Sequence, residues 1–171
     1  MNKIISIFAI LLFSTGAYAR GCDEHSLDGK FSYEVSGVNA FPYPTPASST
    51  FVTQSTHVVG RAEFDAENGT VDIIGKGSAA GAVADRNGNG TFAVDKENCT
   101  AEGTIHWALP VGAPVGTPAE TSHFYIVLDN SDNRDKHSAN KAYHANVLVS
   151  SEFPYLSSAS GSLHRYVGKF D

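Results

Sequence analysis

The chain has 171 residues with 12 basic and 18 acidic side chains, a formal charge of −6, and only 18% charged residues. That acidic balance excludes electrostatic attraction to nucleic acid or to an anionic membrane surface. One methionine, two cysteines and 16 glycines, set among short runs of Val, Phe and Tyr, favour an all-β domain over a helical one.

Residues 1–19 read as a secretory signal peptide. Lys3 supplies the positive start, Ile4 to Phe13 the short apolar run, and Ala17-Tyr18-Ala19 the small-x-small cleavage site. Loss of Lys3 with this segment takes the charge to −7. Residues 20–171 have the size of a single domain, and no later stretch is apolar enough to cross a membrane as a helix. The expected location is the periplasm or the extracellular space. In an exported chain two cysteines are more often bridged than free, so Cys22 and Cys99 are expected to pair. Such a bridge would contribute on the order of 4 kcal/mol by chain entropy. Lipidation of Cys22 is the competing reading, disfavoured by Arg20 and by Ala19 where a lipoprotein signal carries Leu.

The first strand comes from Phe31, Tyr33 and Val35 alternating with Ser32, Glu34 and Ser36 after the Asp28-Gly29 turn. A long connection is expected from Val38 to about Thr56, because Pro42, Pro44 and Pro46 remove ladder donors. His57 to Asp65 is the second strand, with Val59, Ala62 and Phe64 as its apolar positions and Gly60 at a bulge or close approach. Asn68-Gly69 closes a hairpin into a third strand around Val71 and Ile73. Residues 78–89 read as a loop with Val83 in a weak strand or extended segment. Asn87-Gly88 and Asn89-Gly90 turn into a fourth strand, Thr91 to Asp95. A tight turn at Lys96-Glu97-Asn98 leads past Cys99 to a fifth strand, Gly103 to Leu109. His123 to Leu128, Tyr143 to Ser150 and Leu163 to Val167 complete eight.

No helical pattern separates these strands, so they are expected to be antiparallel neighbours, and eight of them can close into an up-and-down β-barrel. Parity places the connections 38–56, 78–89, 110–121 and 151–160 at one end. The first and eighth strands are then adjacent, which sets Phe41-Pro42-Tyr43 beside Phe153-Pro154-Tyr155.

Several segments together resemble a known family: Cys22, Leu27-Asp28-Gly29-Lys30-Phe31, Gly60-Arg61-Ala62-Glu63-Phe64-Asp65 with Asn68-Gly69, Gly90-Thr91-Phe92, Cys99-Thr100 with Gly103-Thr104, and Gly161-Ser162-Leu163. The chain resembles small exported bacterial proteins with an allene oxide cyclase-like, calycin-type barrel. The resemblance implies eight antiparallel strands around an interior pocket, and a disulfide between the two cysteines. It implies no activity. Ala101-Glu102 and the Pro-rich loops depart from the pattern, and the plant cyclase's catalytic residues map to no positions here.

Asp85, Asn87 and Asn89 with Gly90 match the opening of a calcium loop, but Lys96 stands where the closing Glu belongs, so they are weak metal candidates. His106, His123, His144 and His164 fall on strands without zinc-site spacing, and rim or surface positions are the simpler reading. No Gly-x-Ser-x-Gly elbow is present, and no cofactor is expected. Phe41, Tyr43, Phe51, Phe153 and Tyr155 on proline-stiffened loops are the candidate binding residues. They would present apolar area either to a small hydrophobic or amphipathic molecule at the barrel mouth or to a partner protein. The alternative is that the same rings fold inward and plug the end. Binding is expected ahead of catalysis, with a cofactor-independent cyclase or isomerase and a secreted interaction factor as the two alternatives.

Overall fold

The computed structural model describes residues 22–42, 51–79, 82–109, 115–117, 119–129, 142, 144–152 and 156–166. The expected signal peptide lies outside them. Eight strands follow in chain order: β1 (Gly29–Pro42), β2 (Phe51–Asp65), β3 (Thr70–Ala79), β4 (Ala82–Asp95), β5 (Thr100–Trp107), β6 (Glu120–Asp129), β7 (His144–Ser151) and β8 (Leu156–Arg165). Each pairs antiparallel with the next, and β1 pairs with β8 to close the barrel. The fold is the all-β, eight-stranded up-and-down barrel anticipated above.

Alternation sorts the side chains. On β6, Ser122, Phe124, Ile126 and Leu128 are buried while His123, Tyr125 and Val127 are exposed, and β7 repeats the pattern with Ala145 and Val147 inward. In β2 the inward set is Val58, Gly60, Ala62 and Phe64, whereas Val59 faces out at 42% exposure. The ladder runs through Gly60 without a bulge, opposite Tyr33 and Gly75. Its role is close approach: a Cβ on Gly60 would stand 2.9 Å from the Tyr33 ring and 2.7 Å from the Gly75 Cα.

Three loop expectations are corrected. The long connection shrinks to 43–50, because the β-branched stretch after Phe51 pairs in register with Gly37–Pro42. Pro42 sits at the last position of its strand, where a missing donor is tolerated. Segment 82–89 is strand, not loop, since Asn87 pairs opposite Ile74 while Asn89 pairs opposite Asp72 and His106. Asn87-Gly88 and Asn89-Gly90 therefore make no turn. The glycines face the interior, and a Cβ on Gly88 would lie 2.9 Å from the Ile105 side chain. β8 begins at Leu156 rather than Leu163, so the serines there belong to the ladder.

The weak calcium candidates stand in extended geometry. Asp85, Asn87 and Asn89 stand two apart on the outer face of β4, all exposed, and Asp85 is taken by Lys76. A straight strand spreads such oxygens along its length and cannot curl them around one ion.

The end carrying the turns is well secured. Residues 66–69 and 96–99 form matching turns in which Asp65 holds Asn68, and Asp95 holds Asn98, each through a 2.7 Å side-chain hydrogen bond. Gly69 takes φ 63° in the first, and Cys99 takes φ 53° at the equivalent place in the second. A side chain is rarely accepted in that left-handed conformation. Here it aims the thiol at the N-terminal segment: Cys22 and Cys99 are disulfide-bonded, with Cα atoms 5.2 Å apart. A 3-10 turn at Glu24–Leu27 follows Cys22 and lays Leu27, fully buried, across this end.

Arg165 ties the same end together. Its guanidinium donates to the carbonyls of Ala142 (2.8 Å), Ser26 (3.0 Å) and Asp28, and lies 4.5 Å from the centre of the Phe31 ring. Beneath it Phe64 meets Phe31, Phe92 and Phe124 edge to face, at 5.6, 5.2 and 6.4 Å. Aromatic area fills this half of the barrel.

Candidate functional site: the interior cavity

The other half is hollow. Inward positions of all eight strands enclose a cavity of about 270 Å³, slightly below the roughly 300 Å³ at which small-molecule sites begin. Val35, Val58, Ile73, Ile105, Val147, Val149 and Leu163 form its apolar wall, and Phe64, Phe124 and Ile126 its floor. Toward the connections after β5 and β7 the lining turns polar. Trp107 ends β5, Glu120 begins β6, Ser151 ends β7 and Ser157 lies near the start of β8, while Arg86 reaches in from β4.

These groups form one directed network. Arg86 Nη2 donates to Glu120 Oε2 at 2.8 Å, with both side chains largely buried, and the guanidinium lies 4.3 Å from the centre of the Trp107 ring. Trp107 Nε1 donates to Ser122 Oγ at 2.8 Å. Ser151 Oγ donates to Glu120 Oε1 at 2.9 Å, and each hydroxyl has a single proton. In the 2.7 Å contact between Ser122 and Ser151, Ser122 must therefore be the donor; Ser157 likewise donates to Ser151 at 2.7 Å. The order Trp107, Ser122, Ser151, Glu120 runs toward the carboxylate, so each link polarises the next.

Tyr33 stands apart from this network. Its hydroxyl is buried against Gly75, and it is the one buried side-chain polar atom without a hydrogen-bond partner among the described residues. Burial pushes its pKa up to about 12, with the charge on Arg86 pulling the other way. At neutral pH it is a neutral phenol with an uncommitted proton. An arrangement of apolar walls with a few placed polar groups suits retention of a small amphipathic molecule.

The residues singled out from sequence fall elsewhere. Phe41 and Phe51 have backbone places at the ends of β1 and β2, opposite Val52 and Pro42, but their rings lie outside the described residues, as do Tyr43, Phe153 and Tyr155. The adjacency of β1 and β8 that would bring the two Phe-Pro-Tyr segments together is present, with Ala40 opposite Leu156.

The strand histidines are on the outer surface. His144 and His164 face each other across β7 and β8 at 3.0 Å, His123 meets Glu152 at 2.7 Å, and His106 meets Thr121 at 3.2 Å. Among the described residues no three metal-ligating side chains converge.

Sequence reasoning missed Arg86, Trp107, Glu120, Ser122, Ser151 and Tyr33 as a set. A signal did exist: Arg86 and Glu120 share the inward parity of Phe92 and Phe124 in their own strands, and a charge in phase with a core stripe marks a polar interior. It is obscured because both residues fall in stretches, 78–89 and 110–121, whose composition reads as loop. Comparison of the chain with protein-family models, curated proteins and solved structures finds no match.

Proposed function

We propose that this protein is an exported carrier that holds a small hydrophobic or amphipathic molecule inside its barrel. The observation that carries the reading is the cavity of about 270 Å³, apolar in its walls and polar toward the loop end. A chain that folded only for stability would gain by filling such a space, since unfilled volume forfeits packing. Export is supported by the leader-like segment at 1–19 and by the Cys22–Cys99 bridge, which belongs to an oxidising environment.

Membership of the allene oxide cyclase-like barrels is part of the same proposal, resting on the barrel topology and the segments quoted above; the comparisons identify no such family. The interaction-factor alternative would be favoured by a filled barrel interior, and the cavity gives it no such support. The cyclase or isomerase alternative draws on one feature, the partly buried Glu120 carboxylate at the cavity wall. The loop-end aromatics Phe41, Tyr43, Phe51, Phe153 and Tyr155 would act as the mouth through which the ligand enters.

The test is native mass spectrometry of the mature protein purified from an exporting host, beside a denatured sample. A small bound mass that disappears on denaturation is expected. An unliganded protein that also takes up nothing from an organic extract of that host would overturn the carrier reading.

A further inference from the structure

We propose that His144 and His164 form a binding site for a divalent transition-metal ion on the outer face of the barrel, with Cu²⁺ held most tightly. The site is separate from the interior cavity and does not depend on the carrier reading.

The register of the sheet makes the pair. The two histidines stand 20 positions apart in sequence, outside the spacings by which a zinc site is read from a chain. Strands β7 and β8 set them directly opposite one another, and both are exposed. Directly opposed residues share one face of a sheet and reach each other across it. His144 Nε2 and His164 Nδ1 are 3.0 Å apart, with ring centres 4.0 Å apart and ring planes at 76°.

That separation is the one that shared ligation requires. Two imidazole nitrogens, each about 2.0–2.1 Å from one ion, stand roughly 2.9 Å apart at a right angle and roughly 3.3 Å apart at a tetrahedral angle. The observed 3.0 Å lies between these values. Small rotations of two exposed rings therefore turn both lone pairs toward one point, and the backbone need not move. In the metal-free pair one ring donates its proton to the other. The ion takes that proton's place, and the donating ring carries the proton on its far nitrogen instead.

The surroundings favour the same occupant. A metal-ligating histidine generally donates its other ring N–H to a neighbour, which fixes the tautomer whose lone pair faces the ion. His164 has such a partner, since its Nε2 lies 3.1 Å from Ser162 Oγ, two residues earlier on the same face. Asp129 of β6 stands directly opposite His144, on the side away from His164. Ser32, Asn146 and Ser162 fill the neighbouring register positions. Of these four only Asp129 is charged, and its sign attracts a cation. Among the described residues no third ligating side chain joins the pair, so water completes the coordination and the site stays open. Imidazole suits Cu²⁺, Ni²⁺ and Zn²⁺, whereas Ca²⁺ and Mg²⁺ call for oxygen ligands, and Cu²⁺ heads the order of affinity.

The test is calorimetric titration of the mature, disulfide-bonded protein with Cu²⁺, Ni²⁺, Zn²⁺ and Ca²⁺ at neutral pH, in a buffer that does not coordinate metals. Cu²⁺ is expected to bind more tightly than Ni²⁺ or Zn²⁺, and Ca²⁺ is expected to give no binding. His144→Gln and His164→Gln are each expected to weaken Zn²⁺ roughly tenfold or more, while His106→Gln changes nothing. In ¹⁵N-labelled wild-type protein, Zn²⁺ should shift the imidazole nitrogens of His144 and His164 and leave those of His106 and His123 in place. The labelled spectrum needs no variant, so the test survives a misfolded one.

Absence of binding by the transition metals overturns the proposal. So does Zn²⁺ that shifts other histidines in place of this pair, or that binds either His→Gln protein of the pair as tightly as the wild type. Each of these results leaves the cavity and the carrier reading standing.

Discussion

The two halves of this barrel use the same strands for opposite ends. At the turn end, inward positions are Phe31, Phe64, Phe92 and Phe124 packed edge to face, closed by Leu27, tied by Arg165 and stapled by Cys22–Cys99. At the loop end the same inward rows become Arg86, Trp107, Glu120 and serines around empty volume. An empty, partly polar interior contributes less to folding than a packed one. The filled half must therefore supply the stability that the hollow half gives up. Binding sites are commonly drawn from the less stable part of a structure, and this division makes such a site tolerable.

The contrast can be broken most severely at the staple. Replacing both Cys22 and Cys99 with Ser should lower the unfolding free energy by about 4 kcal/mol, as expected for releasing a long loop. Chemical denaturation of the two proteins measures it. Ligand uptake by the fraction that remains folded should be unchanged, because the bridge lies at the opposite end from the cavity mouth. Equal loss of binding and stability would show that the halves are not separable.

A smaller effect, of opposite sign, sharpens the comparison. Tyr33→Phe should stabilise the ligand-free protein by about 1–2 kcal/mol, since it removes a buried hydroxyl that has no partner. The same change should alter the alkaline limb. The Tyr33 pKa is raised to about 12 in the folded chain, so its contribution is fully present below the ordinary value of 10.0 and is lost as pH rises between the two. Thermal melts at stepped pH should therefore fall less steeply for Tyr33→Phe across that window.

The smallest effect belongs to the turns. Hydrogen bonds from the side chains of Asn68 and Asn98, seconded by their backbone amides, hold the Asp65 and Asp95 carboxyls below the usual carboxylate range. Their contribution is present above the ordinary value of 3.8 and is lost as pH falls through the lowered folded values. A protein carrying Asp65→Asn and Asp95→Asn should be slightly less stable than the wild type near neutrality. The gap should close in strong acid, as read from denaturation midpoints across the acid range.

Much of the architecture was legible because it rests on local rules. Period-two alternation around Phe31, Phe64, Phe124 and Val147 marks strands wherever one face is buried, and the absence of helical crossovers makes the neighbours antiparallel. Asn68-Gly69 was read correctly as a turn because strands on either side point back from it. The chemically similar Asn87-Gly88 and Asn89-Gly90 were misread. Turn chemistry states what a dipeptide tolerates, and pairing with β3 and β5 decides which conformation it takes.

By itself, then, the amino-acid order determined the class of fold, the parity of its ends and the pairing of its two cysteines, because side-chain alternation, turn residues and cysteine count act over a few positions or by elimination. Only the tertiary structure decided that the barrel is filled at one end and hollow at the other. That outcome depends on which inward residues from different strands reach the same level. Arg86 meets Glu120 across 34 positions of chain, and Ser122 meets Ser151 across 29. Closure of the sheet sets those encounters, and no local pattern encodes the level at which one strand crosses another.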